Sequence, residues 1–130
     1  VRRSLNPSSV PGSPFYSQGV EVQPGGRTVF VSGQVGIGPD GVPAEGIGAQ
    51  TRQAVANVHA VLAEAGLGPG SVVSQRIYLT SGESVPGFVE AAAEFLGEDP
   101  PATTMLLVAG LADPALVVEI EAVAVAHGTD

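Results

Sequence analysis

The chain has no cysteine among its 130 residues. That excludes disulfides, thiolate nucleophiles and Cys-ligated zinc or iron–sulfur sites. No stretch approaches the roughly 18 consecutive apolar residues of a membrane-spanning helix. A basic-then-apolar leader with a small-residue cleavage site is also missing. Val1-Arg2-Arg3 runs instead into a polar segment with several Pro and Ser, so the cytoplasm is the default location. Basic residues are scarce, five against thirteen acidic ones, for a formal charge of −8. Such a balance repels phosphate backbones and anionic lipid, and neither nucleic acid nor a membrane is an expected partner.

Several catalytic signatures are missing too. No Gly-x-Ser-x-Gly elbow occurs, and no Ser–His pair can be argued from spacing. His59 and His127 have no acid or second histidine at i+4, and the usual zinc spacings are absent. Both read as surface or interface histidines, with no metal and no cofactor expected. Gly36-Ile37-Gly38-Pro39-Asp40-Gly41 matches the dinucleotide pattern G-x-G-x-x-G but lacks its physics. Pro39 removes an N–H donor, and Val42-Pro43-Ala44 does not open a helix whose free N–H groups would meet pyrophosphate.

What remains is enough for one domain with a single core. The composition, 44% apolar and 14% charged, implies either extensive cover by other subunits or a core rich in Ala and Val. Residues 1–14 hold three prolines, four serines and a glycine and read as an extended arm. A first strand is expected over 15–22 and a second over 28–34. The Gln23-Pro24-Gly25-Gly26 turn between them suggests a hairpin. Residues 36–48, rich in Gly and Pro, read as a mobile surface loop.

Val55, Val58, Leu62 and Ala65 recur at spacings of three and four, which predicts a helix over 49–65 ended by Gly66 and Pro69. A strand follows over 72–80. A second helix is expected over 84–96, burying Val85, Phe88, Ala92 and Phe95, and the closing strands over 103–108 and 116–126. Strands and helices in this order predict an α+β fold, a mixed sheet with two helices packed on one face.

The last strand is the most telling. Val118, Ile120, Ala122 and Ala124 share one face, while Val117, Glu119, Glu121, Val123 and Val125 share the other. Valines mixed with two glutamates suit neither a dry core nor a free surface. Such a face reads as a subunit interface containing a polar pocket.

Ordered along the chain are Tyr16-Ser17-Gln18-Gly19-Val20, Val29-Phe30-Val31-Ser32-Gly33-Gln34-Val35, Ala49-Gln50-Thr51-Arg52-Gln53 with Asn57-Val58, and Ala65-Gly66-Leu67. Then come Ile77-Tyr78-Leu79-Thr80, Ala93-Glu94-Phe95-Leu96-Gly97-Glu98, Pro101-Ala102 and Val118-Glu119-Ile120-Glu121-Ala122. In this order and at these separations the chain closely resembles the RidA (YjgF) family, over residues 15–126. The resemblance implies a chorismate-mutase-like domain over those residues, between an arm over 1–14 and a tail over 127–130. It also implies a homotrimer with small-molecule sites between subunits, and hydrolysis of reactive enamines and imines.

On residues alone Ser32 is a strand hydroxyl and Tyr16 an amphipathic aromatic. The resemblance makes Tyr16, Ser32 and Gly33 pocket residues and Glu119 the group that positions the attacking water. Members with deaminase activity carry an arginine after Pro-Ala that grips the substrate carboxylate, and the backbone that follows it contacts the substrate. Here that arginine is replaced by Thr103, followed by Thr104. Val89 stands where some members have an asparagine, and Met105 where many have a small or thiol residue.

A guanidinium binds a carboxylate through charge-assisted hydrogen bonds of roughly 1.5–3 kcal/mol each, and threonine offers one neutral hydroxyl instead. Weak or absent 2-imino acid deamination is therefore expected, with a more neutral and apolar imine, enamine or tautomerising ligand. Arg76 lies within a strand where it either faces solvent at a sheet edge or neutralises one of the glutamates. Two alternatives stay open: a non-catalytic metabolite-binding or assembly trimer, and a 2-iminobutanoate/2-iminopropanoate deaminase in which another residue replaces the arginine.

Overall fold

The alternating segment Val118–Ala126 buries one face almost completely and is bonded along both of its edges. The computed structural model describes residues 2–127. In chain order these form β1 (Arg2–Leu5), β2 (Gly19–Val22), β3 (Arg27–Val35), α1 (Gly46–Glu64), β4 (Val72–Leu79), α2 (Val85–Ala92), β5 (Ala102–Leu107) and β6 (Val118–Ala126). The main sheet has the order β3-β6-β4-β5. Strand β6 runs antiparallel to both neighbours, and β4 and β5 run parallel. Parallel neighbours need a crossover, and α2 supplies it.

Both helices cover the same face. Leu62 of α1, Leu79 of β4 and Val118 of β6 have no solvent exposure and define the core with Ala54, Val58, Ile77, Phe88 and Ile120. A fully buried leucine or valine contributes about 1.5–3 kcal/mol relative to exposure. Helix α1 ends as expected: Leu67 N–H donates to Leu62 O and Gly66 N–H to Ala63 O, satisfying its last carbonyls. The α+β architecture read from the sequence is therefore present.

Several local expectations are corrected. Strands β2 and β3 do not form a hairpin: β2 pairs with β1, and β3 pairs with β6. Turn residues mark where a chain reverses, but strand partners are chosen by complementary faces. Within the expected extended arm, residues 2–5 form the strand β1. Helix α2 stops at Ala92, and its continuation tightens into a 3-10 turn over Ala93–Phe95 that leaves Phe95 41% exposed instead of buried. The loop from residue 36 is pinned. Ala44 N–H donates to Gly36 O, and Asn57 Nδ2 donates to the carbonyls of Val35 and Ile37. Its last three residues belong to α1.

The G-x-G-x-x-G stretch serves packing. A Cβ at Gly36 would come within 2.6 Å of Gln50 Cβ, so the glycine lets α1 lie close against the strand end. Of the expected tail over 127–130, residues 128–130 lie outside the described residues. The His127 Nε2 lies 2.9 Å from Gln23 O.

Candidate functional site

Between the helices and the sheet lies a cavity of about 640 Å³, and four of the residues singled out from the sequence line it: Tyr16, Val89, Thr103 and Met105. Each is placed by a different element. Ser17 fixes its neighbour Tyr16, donating its N–H to Pro101 O and pairing in a parallel bridge with Ala102 at the start of β5. Thr103 and Met105 alternate on the helix-facing side of β5, opposite Gln75 and Ile77 of β4. Val89 descends from α2. The remaining wall is largely apolar, including Val55, Val58, Phe88 and Ile120.

The Thr103 hydroxyl has its single proton committed. It donates to Pro101 O at 3.0 Å and accepts from Gln75 Nε2 at 3.1 Å. Its one donor is therefore spent on shaping the strand start.

The other five candidates lie on the opposite, open face of the sheet. Glu119 and Glu121 project there from β6, half-buried, alternating with the buried Val118, Ile120 and Ala122. Gly33 sits in an irregular stretch of β3 between Val31 and Gln34. A side chain there would collide with the Glu119 carboxylate, whose Cγ lies only 3.0 Å from a Cβ built at this position. The glycine thus leaves room for the carboxylate to fold over the strand. Ser32 is exposed beside it.

Arg76 settles the question of its facing. It lies on an interior strand directly opposite Glu121, with Thr104 on its other side. It shares the face of both glutamates and is exposed. Tyr78, opposite Glu119, donates its hydroxyl to Glu121. That hydrogen bond, reinforced by desolvation and by the negative carboxylate, pushes the Tyr78 phenol above its ordinary pKa.

The predicted site residues therefore form two groups on two faces of one sheet. Within a single chain the sheet itself keeps Glu119 from the cavity.

The cavity also holds residues that the sequence reading passed over. His59 of α1 is not a plain surface histidine. It lines the cavity, packs edge-on against Phe95 with ring centroids 5.9 Å apart, and burial lowers its pKa, favouring the neutral ring. Its position one step from the apolar stripe of α1 was the available signal. Arg2 and Gln75 line the cavity as well. Nothing local in the sequence marks Arg2, whose placement depends on β1 pairing with β2. Among the described residues no cluster of three or more histidines or acids could hold a metal ion. No helix there is long and apolar enough to cross a membrane.

Comparison with known proteins gives a consistent picture. The profile of the family described as Endoribonuclease L-PSP matches residues 9–126. A RutC family protein of Pyrococcus abyssi is 35% identical over 111 residues, 84% of each chain. The human 2-iminobutanoate/2-iminopropanoate deaminase is 30% identical over 128 residues, covering 96% of this chain and 90% of the relative. Among solved structures, a Rid family protein of unknown function from Yersinia pestis superposes with a TM-score of 0.85. It is 38% identical, over 96% of this chain and 98% of the other.

Proposed function

The chain belongs to the RidA (YjgF) family, and from that premise we propose that it hydrolyses a reactive imine or enamine at a site assembled from two copies of itself. One observation carries this reading: the cavity residues and Glu119 occupy opposite faces of the same sheet. One copy supplies Tyr16, Val89, Thr103 and Met105. A neighbour in a homotrimer supplies Glu119, Ser32 and Gly33. The open face suits such cover, since Phe30 on it is 77% exposed and the glutamates are already half-buried.

The chemistry follows from these groups. Water adds to the carbon of C=N while Glu119 accepts one of its protons. The nitrogen takes up protons and leaves as the amine, and the C–OH carbon becomes a carbonyl. An enamine enters the same route after protonation of its carbon gives the imine. Thr103 has no free donor for a carboxylate adjacent to that carbon, so short 2-imino acids are poor substrates. Cleavage of RNA, which the family description suggests, finds little support. Of the five arginines, Arg3 and Arg52 are paired with Glu21 and Glu94, which leaves no cationic track for a phosphate backbone.

Mixed trimers test the assembly. Glu119→Gln and the cavity-filling Ala92→Trp should each be inactive on a panel of imines. Refolded together at equal amounts they should regain about a quarter of wild-type turnover, because random mixing pairs an intact cavity with an intact Glu119 that often. No recovery would remove the two-copy site. No turnover of any imine by the wild type would favour a binding protein over an enzyme.

A further inference from the structure

Gln75 lines the cavity beside Thr103 but has no part in the reading above. It lies on the interior strand β4 and shares with the buried Ile77 the face turned to the helices. Its partner across the parallel β4–β5 ladder is Thr103. The two side chains are bonded, Gln75 Nε2 donating to Thr103 Oγ1 at 3.1 Å.

The orientation of the Gln75 amide follows from where the Thr103 proton goes. Thr103 Oγ1 stands 3.0 Å from Pro101 O, a carbonyl that can only accept. Two oxygens at that separation need a proton between them, and the hydroxyl has just one. Thr103 then meets Gln75 as an acceptor, so Gln75 turns its NH2 group toward it. A flipped amide would set its carbonyl against an oxygen with no proton to give.

The other end of the amide is therefore an acceptor in the cavity. Gln75 Oε1 has no hydrogen-bond partner among the described residues and, unlike Thr51 Oγ1, is not closed to solvent. Strands β5 and β6 flank β4, so a ligand reaches this oxygen through the cavity. The amide nitrogen carries a second hydrogen, so Gln75 can meet both halves of another amide, its N–H and its C=O. A carboxylate brings acceptors alone and leaves Oε1 facing like charge. In a largely apolar chamber, with Ile77, Val89 and Met105 nearby in the wall, a few such groups fix what a ligand must present.

Resting on the cavity being the substrate chamber, we propose that Gln75 selects substrates with a neutral amide next to the imine or enamine carbon. Its Oε1 accepts the amide N–H. Thr103 is a positioning residue, which holds the Gln75 amide with its oxygen turned into the cavity. The substrate class is then imines or enamines of carboxamides with an apolar body, rather than of carboxylic acids.

Binding of unreactive ligands tests this without turnover. The hydrolysis reading, whose own test is turnover in mixed trimers, stands or falls separately. N-methyl-3-phenylpropanamide and methyl 3-phenylpropanoate differ only in N–H against O. Calorimetry on the wild-type protein should show the amide binding at least about fivefold tighter than the ester, with 3-phenylpropanoate the weakest. Gln75→Met should bring amide and ester within about twofold. Thr103→Val keeps Gln75 but frees its amide to turn, and should cut the preference by at least about half. If Gln75→Met does not fold, the wild type and Thr103→Val still decide. Equal binding of amide and ester, tighter binding of the acid, or no binding of any of the three would overturn the proposal. So would a preference that survives Gln75→Met or is unchanged in Thr103→Val.

Discussion

One sheet presents two surfaces of opposite character, written by alternate residues of the same strands. Toward the helices, Val118, Ile120, Ala122 and Ala124 of β6 are at most 4% exposed and meet Leu62, Leu79 and Phe88. On the reverse, Glu119, Glu121, Tyr78 and Arg76 form a polar patch flanked by the exposed Phe30. The first surface is finished within one chain. The second carries too much apolar area for free solvent and too much charge for a core. The difference teaches that one sheet divides packing from assembly across the thickness of a strand. Substitutions in the packed helix-facing core should act on folding, those in its cavity on turnover, and those on the reverse on assembly and turnover.

The largest effect should come from the helix-facing side. Leu79→Ala should cost about 2–5 kcal/mol in urea denaturation at fixed protomer concentration. A loss below about 1 kcal/mol would show that this face is not the tightly packed one. Next, Phe30→Asp on the reverse should disperse the assembly into smaller species by light scattering while leaving the helical circular dichroism intact. A substitution that unfolds the chain instead would blur the division between the faces.

Within the cavity, Thr103→Arg should raise hydrolysis of 2-iminobutyrate by less than about tenfold, because Val89 and Met105 keep the wall apolar. A larger gain would mean that the arginine alone defines the chemistry. The smallest effect concerns pH. Burial lowers the pKa of His59, so the unfolded chain binds that proton more readily. Its contribution to stability is complete above the ordinary value and is lost as pH falls from about 6.5 through the folded pKa. His59→Leu should flatten this acid limb of a Tm-against-pH curve by about a degree. An unchanged limb would place His59 outside the buried wall.

How much was legible in the sequence varied with the range of the interaction. The alternation in 118–126 and the three-and-four spacing in 49–65 report local geometry, and both elements stand where expected. The two faces of β6 could be read residue by residue, including which carried the glutamates. Strand partnership could not, because β2 joins β1 rather than β3 through matched surfaces rather than nearby turns. For the same reason the arm concealed Arg2, whose approach to Gly70 and Val72 spans nearly seventy residues. Arg76 lay between the two cases: its period gave a choice of faces, and only the register opposite Glu121 chose between them. Phe95 misled because the helix period was extended through a turn that tightens.

The place of β6 between β3 and β4 has a kinetic consequence. Arg27 pairs with Ala126 and Leu79 with Val118, so neither of those strands gains its neighbour until the segment farthest along the described chain is in hand. Within the main sheet only the parallel β4–β5 unit with its crossover helix can organise earlier, and parallel pairing is itself slow to nucleate. A growing chain emerging from the ribosome should therefore hold β3 unpaired for most of its synthesis, with Phe30 and Val31 available to other chains. The interior position that makes β6 secure in the native state makes its arrival the step on which folding waits.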